Sequence, residues 1–186
     1  MKTYTIIGGV NGVGKSSLTG VLLAQRNDLG IVIDVDKLAK QHNGFIAGGK
    51  AAVAKMRACL EKGISFTQET TLASHQVEQT AREARERGYI VRLYYVGLDT
   101  PDECISRIQN RVRKGGHDIP SADVLRRFSG RIEALRRILP YCDEAVFFDN
   151  NNGFVEVAEY KNGQFITKSP ITAWATEFAR QLNDDV

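Results

Sequence analysis

The chain has 186 residues, 42% hydrophobic and 25% charged, with a formal net charge of +3. That balance gives a globular domain enough apolar material for its own core and excludes an intrinsically disordered chain. No run of 18 or more apolar residues occurs, which excludes a membrane-spanning helix of ordinary length.

The start, MKTYTIIGGVNGVGKSS, turns to glycine after a short apolar stretch. It lacks the long apolar segment and small-residue cleavage site of a secretory signal, so the expected location is the cytoplasm, away from any membrane. Cys59, Cys104 and Cys142 are widely spaced and form no CxxC or Cys/His pattern. Free, buried thiols are expected.

In chain order, the β-branched and aromatic run Lys2–Ile7 predicts a strand closed by Gly8-Gly9. Leu18, Val21 and Leu22 recur at helical spacing between Lys15 and about Arg26. Ile31–Ile33 is a second strand that stops at Asp34. Residues 49–62 read as a helix closed by Gly63, and Ile64–Gln68 as a third strand. Ser74 is the N-cap of a helix running to Arg87 and ended by Gly88. Tyr89–Gly97 is the strongest β signal in the chain. Thr100-Pro101-Asp102-Glu103 forms a capping box with proline at the first helical position, opening a helix to about Arg113. The loop KGGHDIP follows, then a helix from Ser121 to Pro140 and a fifth strand over Ala145–Phe148. Phe154–Tyr160 and Gln164–Thr167 flank Lys161-Asn162-Gly163, a hairpin signal. Ile171, Trp174, Ala175, Phe178, Ala179 and Leu182 fall on one stripe of a last helix, with Trp174 expected in the core. Strand–helix alternation over residues 2–149 implies parallel strands with right-handed crossovers. The expected fold is α/β, a three-layer sandwich on a five-stranded parallel sheet, with a C-terminal β-hairpin and helix over 153–183. No repeat or linker divides residues 1–186, so one domain is expected.

Gly9-Val10-Asn11-Gly12-Val13-Gly14-Lys15-Ser16 matches G-x-x-x-x-G-K-[ST] in full, directly after a predicted strand and at the start of a predicted helix. Glycines let the backbone curl so that successive N–H groups face inward, and the helix N-terminus adds positive potential. Lys15 supplies a mobile cation for the β- and γ-phosphates. Ser16 supplies a hydroxyl ligand for Mg²⁺, and Ser17 follows it in the same turn. The pattern predicts a nucleoside triphosphate, ATP or GTP, held by Gly9, Asn11, Gly12, Val13, Gly14, Lys15, Ser16 and Ser17.

Strand ends in an open α/β sheet place their side chains beside such a loop. Asp34 and Asp36 leave the second strand, Glu69 the third and Asp149 the fifth. In extended chain Asp34 and Asp36 share a face, so one carboxylate can take a proton while another orients substrate or metal. Gln68-Glu69-Thr70-Thr71 is a polar strand end suited to a polar substrate. Between Arg107 and Arg137 stand nine basic and three acidic residues, leaving the rest of the chain net negative. Arg107, Arg111 and Lys114 share one helix face. Gly115-Gly116 and His117 follow on a loop, and Arg126 and Arg127 lie on the next helix. An arginine-rich helix–loop–helix before the last parallel strand has the makings of a closing lid, about residues 104–137, because phosphoryl transfer is catalysed mainly by positioning and charge neutralisation.

GGVNGVGKSS, IDVD, ETT, and YVGLDTPDECISRIQNRVRKGGHDIP followed by RRF together resemble the zeta-toxin family of P-loop kinases over about residues 1–150. The lid sequence with GGHDIP is the specific part. The resemblance implies an ATP- or GTP-dependent phosphotransferase with an alcohol acceptor, a hydroxyl of a nucleotide-activated sugar. UDP-N-acetylglucosamine, phosphorylated at the 3′-hydroxyl, is the family's usual substrate. By motif, the family's catalytic base falls on Asp36, its substrate-orienting glutamate on Glu69, and its P-loop lysine and hydroxyl on Lys15 and Ser16. Its two phosphate-contacting lid arginines fall within Arg107–Arg127, with Arg111 and Arg127 the first choice and Arg113 and Arg126 their competitors. Asp34, Thr70 and Thr71 join Glu69 as substrate-binding candidates. Many members pair with a small helical antitoxin that blocks the nucleotide site, and some relatives act on other nucleotide-linked hydroxyls, including that of NAD. A polynucleotide kinase would call for an extended basic groove with aromatic platforms, whereas aromatics here are 8% and positive charge is confined to one segment. A non-catalytic NTP-dependent switch is the third reading, and it would need no base at Asp36.

Overall fold

Side-chain alternation along the strands determines which layer each strand residue joins. In the computed structural model the described residues are 1–183 except 36, 37, 39, 40, 42 and 43. Strands β1 (Thr3–Gly8), β2 (Ile31–Ile33), β3 (Phe66–Thr70), β4 (Ile90–Gly97), β5 (Glu144–Asp149), β6 (Val155–Lys161) and β7 (Gln164–Thr167) form one sheet in the order β2-β3-β1-β4-β5-β6-β7. The first five are parallel, and β6 and β7 add antiparallel. The helices are α1 (Lys15–Gln25), α2 (Phe45–Lys62), α3 (His75–Glu86), α4 (Pro101–Arg113), α5 (Ser121–Ser129), α6 (Arg131–Ile138) and α7 (Ala173–Asn183), with a short 3₁₀ turn at Leu139–Tyr141.

Tyr4, Ile6, Phe66, Val91, Leu93, Tyr95 and Phe147 face one way, onto the apolar stripes of α2, α3, α6 and α7. Ile7, Tyr94 and Val96 face the other way, onto α1, α4 and α5. Two cores separated by one sheet make the three-layer sandwich. β1 is buried along its whole length and β4 along most of its own because both faces of the sheet are covered.

Five details differ from the sequence expectation. β3 begins at Phe66 rather than Ile64, because the Ile64 N–H is engaged in closing α2, donating to the Cys59 carbonyl at 2.9 Å. α2 begins at Phe45 rather than residue 49 and carries Gly48 and Gly49 inside it. The single helix expected from Ser121 to Pro140 is broken at Gly130, where the chain passes from the α5 layer to the α6 layer across the end of the sheet. The hairpin joins the parallel sheet through β5, so the sheet has seven strands rather than five. Its turn is Asn162-Gly163, both at positive φ (53° and 80°), the type I′ arrangement that suits strand twist. Ile171 precedes α7 and is exposed, whereas Trp174, Ala175, Phe178 and Leu182 are buried as expected.

Trp174 fastens α7 to the sheet. Its indole N–H donates to Asp149 Oδ1 at 2.9 Å, and its backbone N–H donates to Asp99 Oδ1 at 3.0 Å. The ring lies so close to the end of β4 that a methyl group on Gly97 would stand 2.6 Å from it. Gly97→Ala is expected to cost about 1–3 kcal/mol, the usual penalty of overpacking, read as a lower urea midpoint with an unchanged slope.

At the other end of the sheet Asp28 accepts two hydrogen bonds from Arg26, at 2.9 and 2.8 Å, and another from Arg92. Hydrogen bonding from Arg26 holds its carboxyl well below the usual carboxylate range, with Arg92 adding to the effect and burial opposing it. A depressed folded pKa stabilises above the unfolded value, and that contribution is lost as pH falls from about 4 through the folded pKa. Asp28→Asn should therefore be less stable at pH 7, and the difference from wild type should shrink as pH falls below about 3. Denaturation at both pH values reads it.

Candidate active site

The chain between β1 and α1 turns over the carboxyl ends of the strands and is held there from three sides. Val10 and Val13 are buried in the α1–α4–α5 core. Asn150, just beyond β5, donates from Nδ2 to the Val13 carbonyl at 2.8 Å. Gly12, at φ +87°, lies against α4 so closely that a methyl group there would stand 2.4 Å from the Cys104 carbonyl oxygen. Only glycine combines that backbone with that contact. The loop leads into α1, whose N-terminal end carries Lys15, Ser16 and Ser17.

Above this loop is a cleft of about 500 Å³. Asn11, Gly12, Gly14, Lys15, Ser16 and Ser17 form its floor. Gly9 and Val13, also expected at the nucleotide, are not among the residues lining the cleft; Val13 supports the loop from the core. Lys15 Nζ donates to the carbonyls of Gly9 (2.8 Å) and Val10 (3.0 Å), which folds its ammonium back over the loop. Ser16 Oγ donates to Glu69 Oε2 and Thr19 Oγ1 to Glu69 Oε1, both at 2.7 Å. The strand-end carboxylate thus bridges β3 to the first turns of α1.

Asp34, Val35, Gln68, Thr70 and Thr71 line the opposite wall. The Leu38 N–H donates to the Asp34 carbonyl at 3.1 Å, so Asp34 stands at a helical turn rather than in extended chain. Asp36, the expected base, lies outside the described residues. Thr70 Oγ1 accepts from the Leu72 N–H at 3.1 Å, and buried Leu72 adopts φ +61°. Asp149 is engaged elsewhere: Oδ1 accepts from Trp174, and Oδ2 from the Asn151 N–H at 2.9 Å.

Three arginines form the roof. Arg107 donates to the Asn150 carbonyl at 2.7 Å, Arg111 to the His117 carbonyl at 2.6 Å, and Arg127 to Asn11 Oδ1 on the loop itself. Arg113 is exposed and bonded to Asn110, and Arg126 is exposed and paired with Asp123. Neither lines the cleft. Lys114 borders a neighbouring hollow instead. Arg107, expected on the helix face of Arg111, and Gln68, expected only within a polar strand end, also line the cleft. The shared helix face of Arg107 and Arg111 was the available signal for the first, and a glutamine at an inward-facing strand position for the second.

Among the described residues no cluster of three or more His, Cys, Asp or Glu forms a protein-only metal cage. An oxygen-seeking Mg²⁺ does fit Ser16: its proton goes to Glu69, which leaves the hydroxyl lone pairs available. Burial raises the Cys104 thiol to about 11, with Glu103 adding to it, so Cys104 contributes its backbone rather than a thiolate. Gly12→Ala should lower the melting temperature, at about 1–3 kcal/mol, and abolish the rise in melting temperature expected on adding ATP to the wild type.

Residues 1–155 match the model of the zeta-toxin family. An uncharacterized protein of Haemophilus influenzae is 33% identical over 117 residues, 60% of this chain and 81% of that one. A chain of the PezAT chromosomal toxin–antitoxin system of Streptococcus pneumoniae superimposes with a TM-score of 0.67 at 15% identity, over 99% of this chain and 85% of that one. A chain of the AvrRxo1-ORF1:-ORF2 complex with ATP superimposes with a TM-score of 0.63 at 17% identity; this chain spans 63% of its length. The fold is that of the P-loop kinases, and family and fold together support a nucleotide-dependent phosphotransferase. Among the described residues no helix is long and apolar enough to cross a membrane.

Proposed function

The chain belongs to the zeta-toxin family, and on that premise we propose that it transfers the γ-phosphate of Mg-ATP or Mg-GTP to a hydroxyl of a nucleotide-linked acceptor, foremost UDP-N-acetylglucosamine. The observation that carries the reading is the cleft itself. Its lining brings the glycine-rich loop, Lys15 and Ser16 together with three arginines around one open space.

The β- and γ-phosphates lie on the floor, where Lys15 exchanges its two carbonyl partners for phosphate oxygens. Ser16 would hold Mg²⁺ with Glu69 fixing its hydroxyl, and the ion would supply charge neutralisation at the phosphates. Arg127 already touches the loop through Asn11 and can pass from that amide to the γ-phosphate. Arg111 and Arg107 approach from the α4 side. Asp36 is proposed as the base, accepting the acceptor hydroxyl's proton as that oxygen bonds to the γ-phosphorus and the bond to the β-phosphate oxygen breaks, releasing the nucleoside diphosphate. Segment 104–137 is proposed to close as a lid on a single-domain body. Asp34, Thr70 and Thr71 contact the acceptor. The toxin–antitoxin origin of the PezAT relative makes an antitoxin over the nucleotide site the corresponding partner proposal, and the cytoplasm the proposed setting.

Incubation with Mg-ATP and a panel of UDP-sugars, NAD and free sugars, read by mass spectrometry, tests this. A singly phosphorylated product is expected, lost in Lys15→Ala and Asp36→Ala. Removing one charge-stabilising group commonly costs on the order of 10²- to 10³-fold, and Arg127→Ala should slow turnover by that factor. Product formation that survives Asp36→Ala would remove the base assignment; ATP binding without any product would favour a switch.

A further inference from the structure

Gln68 occupies a position that the strand pattern reserves for an apolar residue. It follows Phe66 on the same face of β3, and its sheet neighbours in register are Ile6 and Ile33, both buried. Gln68 itself is only 6% exposed. A buried primary amide in such surroundings is costly unless its groups are paired. One group is paired: Oε1 accepts from the Tyr4 hydroxyl at 2.5 Å.

The chemistry of Tyr4 fixes which way the amide points. The ring is fully buried and stacked on Phe66 with centroids 4.5 Å apart. Burial, with a smaller contribution from Cys142, raises its phenol far above the ordinary value, so the group stays protonated. A buried O–H needs an acceptor, and among the described residues Gln68 Oε1 is the one it has. With the amide oxygen held by Tyr4, Nε2 is the polar group of Gln68 left to serve the cleft that the residue lines. No described residue accepts from Nε2. Glu69, next along the strand, points to the opposite face and has both oxygens occupied by Ser16 and Thr19. The shelf beside Gln68 is held firmly: left-handed Leu72 is fixed through its N–H by Thr70 and through its carbonyl by Arg137.

We infer that Gln68 is an acceptor-recognition residue, donating its carboxamide N–H to an oxygen of the phosphoryl acceptor, and that Tyr4 is the positioning residue that aims it. The inference deepens the kinase reading and rests on it. The ligand class is a neutral, oxygen-rich group such as the hydroxyls or acetamido carbonyl of a sugar. Because a site built to donate a buried hydrogen bond discriminates against whatever leaves it unmet, Gln68 acts on acceptor choice and not on the nucleotide.

The test uses the full chain with Gln68→Met, close in shape but without the donor, and Tyr4→Phe, which keeps Gln68 but frees its amide. Acceptor dissociation constants are measured by calorimetry with UDP-N-acetylglucosamine in the presence of a non-hydrolysable Mg-ATP analogue, alongside KM and kcat. Gln68→Met is expected to raise the acceptor Kd and KM by about ten- to a hundredfold, and Tyr4→Phe by a smaller factor. Affinity for the nucleotide analogue should stay within about twofold of wild type, which a general loss of folding would not allow. Unchanged acceptor affinity in Gln68→Met, or an equal loss of nucleotide affinity, overturns the inference. If the wild type binds the acceptor without phosphorylating it, the kinase reading fails, while the calorimetric comparison still decides the role of Gln68.

Discussion

The contact between Gly12 and the backbone of α4 is the constraint on which the rest of the site depends. The loop after β1 lies with Gly12 directly against the first turns of α4, and the Cys104 carbonyl leaves no room for a side chain there. Val10 and Val13 hold the loop down, and Asn150 ties it to the end of β5. The shape of this candidate phosphate loop is therefore a property of packing among β1, α1, α4 and β5, and not of the loop alone. The same packing brings the arginines of α4 over the loop, because a helix fixed at Cys104 must carry Arg107 and Arg111 one and two turns further along.

The sheet divides the cleft by chemistry. Consecutive β3 residues point to opposite faces, so Glu69 reaches α1 and the phosphate floor while Gln68 reaches the layer of Tyr4 and Phe66. The period-two geometry of a strand thus sends two adjacent polar residues to opposite layers. Gly130 has a comparable effect at the scale of helices. By breaking the run from Ser121, it leaves α5 with Arg127 above the loop and sends α6 to the far layer. There Arg131 pairs with Glu177 of α7 and lies over the Phe128 ring at 3.8 Å. The arginine-bearing helix is joined to a firmly docked one through a single glycine.

Much of this was legible in the sequence because the determining signals are local. The Thr100–Glu103 capping box and the Asn162-Gly163 turn each fix their own geometry within a few residues, and the G-x-x-x-x-G-K-S spacing marks the loop whose shape distant packing then holds. The elements that shifted did so under tertiary control. Ile64 reads as strand, but its N–H closes α2; the 121–138 run reads as one helix, but two cores on opposite faces compete for its apolar residues. Among the site residues, Arg111 and Arg127 stand in the cleft while Arg113 and Arg126 do not, a distinction set by helix facing and neighbours such as Asp123. Gln68 was visible only as part of a polar strand end. Its orientation depends on Tyr4, 64 residues away, and no spacing rule connects them.

A crystal structure with a non-hydrolysable Mg-ATP analogue and UDP-N-acetylglucosamine tests the account most directly. The triphosphate is expected on the Asn11–Ser17 floor, the γ-phosphate within hydrogen-bond reach of Lys15 and Arg127, and the sugar against Gln68 with its reacting hydroxyl toward the γ-phosphorus. A nucleotide seated elsewhere, or a sugar on the Glu69 side of the sheet with Gln68 untouched, would contradict it.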